Sequence, residues 1–105
     1  MKMVRAIVRP EKEEEIIKAL EIAGFPSLTK MDVFGRGKQK GIQVGNTVYD
    51  ELAKTMIMVV VEDSQVEKTV STISQSAKTG NYGDGKIFIT PVESTVTIRT
   101  GKVLV

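Results

Sequence analysis

The run Thr55-Met56-Ile57-Met58-Val59-Val60-Val61 constrains the fold more than any other stretch of the chain. It shows no alternation of apolar and polar residues, so it reads as a strand buried on both faces. A sheet with such a strand at its centre must be covered on both sides. With 105 residues and 41% hydrophobic content, the chain fits one domain, 1–105, around one core. Helices can cover one face. In so small a chain the cover for the other face is expected to be another copy of the chain.

The flanking pattern supplies the helices. Met3 to Val8 is apolar enough for a strand, and Pro10 then sets up a helix start. A helix from about Glu11 to Ala23 carries Ile16, Leu20 and Ala23 on one stripe. Its acids Glu11, Glu13, Glu14 and Glu15 crowd the first turns, where the helix dipole favours negative charge. Gly24 stops it. A second strand is expected over about Leu28 to Phe34, with its buried face left open by the pattern. After the central strand, Asp63 or Ser64 can cap a second helix whose stripe is Val66, Val70, Ile73 and Ala77. Strands are then expected near Lys86–Ile89 and Ser94–Arg99, with Pro91 beside them where a ladder donor is dispensable. The order strand-helix-strand, loop, strand-helix-strand reads as an α+β, ferredoxin-like βαββαβ sandwich.

Two glycine-rich segments carry the chemistry. In Thr79-Gly80-Asn81-Tyr82-Gly83-Asp84-Gly85-Lys86, three glycines let the backbone turn its amides toward a ligand, and a lysine adds a mobile cation. Taken alone, a Gly-Asp-Gly sequence is more often a plain turn. The second segment, Gly35-Arg36-Gly37-Lys38-Gln39-Lys40-Gly41, opens a stretch to about Lys54 in which no period survives. Loops of that length are usually functional. Both segments suit an anion, with a nucleotide phosphate as the leading candidate. For Arg36 and Lys40 a solvated basic loop is the competing reading, and Lys54 and Arg99 alone would read as ordinary surface charges. Met56 and Met58 read as strand packing.

Composition excludes several classes. There is no cysteine and no histidine, so disulfides, thiolate metal sites and histidine-assisted nucleophiles are ruled out. A formal net charge of +2 is too small to indicate nucleic acid. Aromatics are 5% of residues and absent from the central strand, which weakens an RNA-binding sheet. The N-terminal Met1-Lys2-Met3-Val4-Arg5 has no signal-peptide core, and no apolar run approaches the roughly 20 residues of a membrane span. The expectation is a cytoplasmic, non-enzymatic protein without membrane insertion.

The glycine segments, their separation and the fold order together resemble the P-II signal-transduction family, almost end to end. The match is densest at Thr79, Gly80, Gly83, Asp84, Gly85, Lys86, Ile87 and Phe88, and at Gly35, Gly37, Gln39, Lys40 and Gly41, where that family's T-loop begins. The resemblance implies a T-loop over about 36–54 between strands two and three. It also implies a trimer with a site in each cleft between subunits, where ATP or ADP and 2-oxoglutarate act as effectors with Mg2+. Thr29, Gly35, Gly37, Lys38, Gly83, Asp84, Gly85, Lys86 and Arg99 would then serve the nucleotide. Gln39, Lys40, Gly41 and Lys54 would serve 2-oxoglutarate, with Gln39 also at the metal. A dicarboxylate beside a triphosphate needs several cations and a bridging metal.

Two departures stand out. Tyr49 does not sit where bacterial members carry their uridylylated tyrosine, and Thr97 stands where the family usually has a first arginine, leaving Arg99 alone. The loop from Gly41 to Leu52 resembles the nitrogenase-associated P-II paralogues of archaea and some anaerobes. That resemblance implies a homotrimer or a hetero-oligomer with a paralogous subunit. It further implies inhibition of the dinitrogenase component, relieved by 2-oxoglutarate with ATP, with Val44, Asn46 and Tyr49 at the partner contact. An ammonium transporter or another nitrogen-assimilation target is the alternative partner.

Overall fold

A computed structural model describes residues 1–36 and 51–105, together with the backbone of two short strands between them. In chain order the elements are β1 (Lys2–Val8), α1 (Glu13–Ile22), β2 (Thr29–Gly35), β3 (Ile42–Val44) and β4 (Thr47–Tyr49). There follow β5 (Leu52–Val61), α2 (Val66–Ala77), β6 (Lys86–Pro91), β7 (Thr95–Val96) and β8 (Val103–Leu104). The main sheet runs β2-β5-β1-β6 with every neighbouring pair antiparallel, the expected ferredoxin-like arrangement. The apolar run falls within β5, which sits inside the sheet between β2 and β1. β3 and β4 form a hairpin of their own, and β5 already begins at Leu52.

Residues directly opposite in an antiparallel ladder share a face, and successive residues alternate between faces. The register therefore sorts the sheet. Val4, Ala6 and Val8 of β1 join Thr55, Ile57, Val59 and Val61 of β5 on one face, all of them buried. Ile16 and Leu20 of α1 and Ile73 and Ala77 of α2 complete that core, as their stripes predict. Val66 and Val70 pack at its margin, and Ala23 lies at the helix end half-buried. The opposite face holds Met3, Arg5 and Ile7 of β1, Met56, Met58 and Val60 of β5, Met31 and Val33 of β2, and Phe88 of β6. No described helix covers it, and Met31, Val60 and Phe88 are exposed.

Three local expectations are corrected. The first helix is preceded by a 3-10 turn, Pro10–Lys12, and becomes α-helical at Glu13. Neither Asp63 nor Ser64 caps α2, which starts at Val66 behind a second 3-10 turn. Asp63 instead accepts Lys2 Nζ at 3.0 Å and pairs with the N-terminal amine at 3.1 Å. The strand expected over Ser94–Arg99 is only Thr95–Val96, and it leaves the main sheet to pair with β8. The chain reverses because Thr97 O accepts the Gly101 amide at 2.7 Å, with Gly101 at φ +70°, a region glycine enters freely.

Candidate functional site

The glycine segment after α2 folds as a turn braced from within. The carboxylate of Asp84 accepts the amides of Thr79 and Gly80, each at 2.9 Å, and the Thr79 hydroxyl. A fourth donor comes from 75 positions away: Arg9 Nε reaches Asp84 Oδ1 at 3.1 Å. Arg9 Nη2 also donates to Tyr82 O at 2.7 Å, so a single guanidinium ties the turn to the end of β1. These donors, the Thr79 hydroxyl first, hold the Asp84 carboxyl far below the usual carboxylate range.

Glycine is required at two points of this turn. Gly83 and Gly85 have φ of +98° and +107°. A Cβ on Gly85 would lie 1.7 Å from the Ile7 carbonyl oxygen, so the turn rests directly on the β1 backbone. A Cβ on Gly83 would lie 3.2 Å from Arg9 Nη2. The glycines therefore serve close packing of the turn on β1 as well as any ligand.

Lys54 stands at the same end of the sheet. Its ammonium donates to Gly83 O at 2.5 Å, and partial burial followed by the nearby Arg9 charge lowers its pKa. Gly35, across β2, lies close enough that a Cβ there would touch Lys54 Cγ at 3.9 Å. Lys86, opposite Ile7 in the ladder, is exposed on the open face. A cleft of about 360 Å³ runs behind the turn, with Val8, Ile73, Ala77 and Ile87 at its base and Asp84, Gly85 and Lys86 at its rim. A larger depression of about 660 Å³ over α1 is lined by Glu11, Glu13, Glu14 and Glu21 together with Lys18 and Lys30.

One end of the sheet thus brings together Gly35, Lys54, Gly83, Asp84, Gly85 and Lys86. It leaves out Thr29, which faces Met58 about 13 Å further along β2 from Val33, the residue opposite Lys54. It also leaves out Arg99, which lies in the exposed turn between β7 and β8 and has no hydrogen bond to the glycine turn among the described residues. Gly37, Lys38, Gln39, Lys40, Gly41 and Asn46 lie outside the described residues, and of Val44 and Tyr49 only the backbone is described. Asp84 turns out to be spent on holding the turn. Arg9 was not singled out from the sequence, because nothing near Arg9-Pro10 signals a partner so distant in the chain.

The nitrogen regulatory protein P-II family matches residues 1–102. The chain belongs to the P-II family. It is 59% identical over 102 residues to the nitrogen fixation nifHD1 region GlnB-like protein 1 of Methanosarcina barkeri, covering 97% of each chain. It is 60% identical over 100 residues to the nifHD region GlnB-like protein 1 of Methanothermobacter marburgensis, covering 95% of each. With nitrogen regulatory protein P-II 2 of Methanothermobacter thermautotrophicus it shares 49% over 106 residues, covering 97% of this chain and 92% of the relative. P-II proteins are signalling regulators, and this chain is one by sequence and by fold.

The family's effectors can be tested against the residues present. Lys54 has a carbonyl as its hydrogen-bond partner and a second cation nearby, a setting that an anionic ligand would relieve. The described residues therefore fit a nucleotide phosphate or a dicarboxylate. Among them no three Asp or Glu side chains are grouped to hold a metal ion, and Gln39, expected at the metal, lies outside the described residues. No described helix is long and apolar enough to cross a membrane.

Proposed function

We propose that this P-II chain is a regulator of nitrogen fixation that senses ATP or ADP together with 2-oxoglutarate and Mg2+. It acts on the dinitrogenase component through the segment between β2 and β5. The observation that carries the reading is Lys54, held against Gly83 O beside Arg9 at the edge of the braced glycine turn. Lys54 would take the distal carboxylate of 2-oxoglutarate, while the backbone at Gly83 and Gly85 and the Lys86 ammonium meet phosphate oxygens. The names of the relatives, drawn from nifHD regions, support the process.

The assembly belongs to the same reading. Thr29 stands away from the turn in one chain, Arg99 makes no hydrogen bond to it among the described residues, and one sheet face is left uncovered. A homotrimer or a mixed oligomer with a paralogous P-II subunit would cover that face. It would also bring such residues to clefts between subunits.

Calorimetry with 2-oxoglutarate, run with and without Mg-ATP, tests the site. Binding is expected only with Mg-ATP, and Lys54→Met is expected to weaken it at least about tenfold while leaving the fold intact. Equal binding by the variant would remove Lys54 from the site. For the target, inhibition of purified dinitrogenase and its relief by 2-oxoglutarate with Mg-ATP is the expected result. Absence of inhibition, with capture of an ammonium transporter instead, would transfer the function to that partner.

A further inference from the structure

The uncovered sheet face has one charged residue near its middle. Arg5 stands opposite Met58 on β5 and opposite Phe88 on β6, with Met3 and Ile7 two residues away on the same face of β1. Its Nε is shielded from solvent and has no hydrogen-bond partner among the described residues. The other cations of this face, Lys54 and Lys86, stand at its end beside the glycine turn. The register places no Asp or Glu of the described strands β1, β2, β5 and β6 on this face: Asp32, the one acid in those strands, lies opposite Thr55 on the helix side.

Methionines and a phenylalanine surround this guanidinium, and the face offers it the hydroxyls of Thr29 and Thr90 but no carboxylate from the described strands. An apolar surface of this kind is normally covered. Once it is covered, an arginine with an unpaired donor needs an oxygen acceptor from the covering molecule. The same face of a second copy supplies no carboxylate, only the hydroxyls of Thr29 and Thr90, and adds a second set of cations, which electrostatic complementarity disfavours. We infer that Arg5 selects the subunit that covers this face. It favours a partner of the same fold carrying a carboxylate where this chain carries Arg5, over a second copy of this chain. The inference rests on the assembly reading above and adds to it the residue that decides subunit choice.

The probe is the chain's own Arg5→Glu variant, mass-tagged and mixed with the wild type. Native mass spectrometry reads subunit composition at low ionic strength, with circular dichroism confirming that each protein is folded. Mixed oligomers are expected several-fold above statistical proportions, with the excess shrinking as salt is added. Arg5→Met alone is expected to self-associate about tenfold more tightly than the wild type, since it removes the repelling charge and keeps the apolar surface. Statistical mixing, or self-association of Arg5→Met equal to that of the wild type, would overturn the role of Arg5 and leave the assembly reading intact. Monomers in every combination would overturn both.

Discussion

The two faces of the sheet are built from the same strands and much the same residue types, yet they meet different ends. On the helix side Val4, Ala6 and Ile57 are 0% exposed and Val59 3%, sealed by α1 and α2. On the opposite side of the sheet, which no described helix reaches, Met31, Val60 and Phe88 are 43–48% exposed. The lesson is that an apolar central strand specifies two burials of different kinds. The first closes within the chain and makes the fold. The second stays open in the single chain, and its end at Lys54 and Lys86 adjoins the glycine turn.

Adjacent substitutions in β5 test that distinction most strongly. Ile57→Ala opens a cavity among fully buried neighbours and is expected to cost about 2–5 kcal/mol in urea unfolding. Met58→Ala, on the other face, is expected to cost about 1 kcal/mol or less in dilute protein. Its loss should grow with protein concentration as assembly contributes more. Equal losses at all concentrations would mean that the faces are not energetically distinct.

A smaller effect is expected where the turn rests on β1. Gly85→Ala forces a side chain into a left-handed backbone and against the Ile7 carbonyl. About 1–3 kcal/mol of destabilisation is expected, concentrated in residues 79–86. Amide exchange should report the loss there first, with β5 amides still protected. Uniform loss across the sheet would show that the turn is part of the core's cooperative unit.

The sequence made one face legible because periodicity reports burial. Ile16, Leu20, Ile73 and Ala77 repeat at helical spacing and do form the core. The lack of alternation in β5 correctly signalled a second apolar face. Met56 and Met58 read as packing residues, and the register gave them to that open face. What periodicity cannot report is long-range polar pairing. Arg9 bracing Asp84, and Asp63 serving Lys2 and the N-terminus instead of capping α2, are contacts between distant residues with no local signature. The C-terminal hairpin was missed for a related reason. Ser94–Arg99 has strand-like residues, but the turn at Thr97–Gly101 pairs them locally.

The finest test concerns charge alone. Asp84 has a native pKa depressed below that of the unfolded chain, near 3.9 for an ordinary aspartate. The unfolded state therefore takes up the proton first as pH falls. The stability due to the ionised carboxylate is complete above that ordinary value and is lost progressively as pH drops through the region below it. Wild-type amides at Thr79 and Gly80, both donors to Asp84, should lose exchange protection below about pH 4. Asp84→Asn keeps the shape of the side chain without its charge, so protection there should be weaker at neutral pH and nearly independent of pH on acidification. Glu13 and Asp63 also have depressed pKa values, so the difference between wild type and variant, rather than the acid response of either one, isolates Asp84. The core amides of β5 should differ little between the two proteins. An identical acid response at Thr79 and Gly80 in both would mean that the turn is held by its backbone geometry and its packing on β1, with the carboxylate contributing nothing measurable.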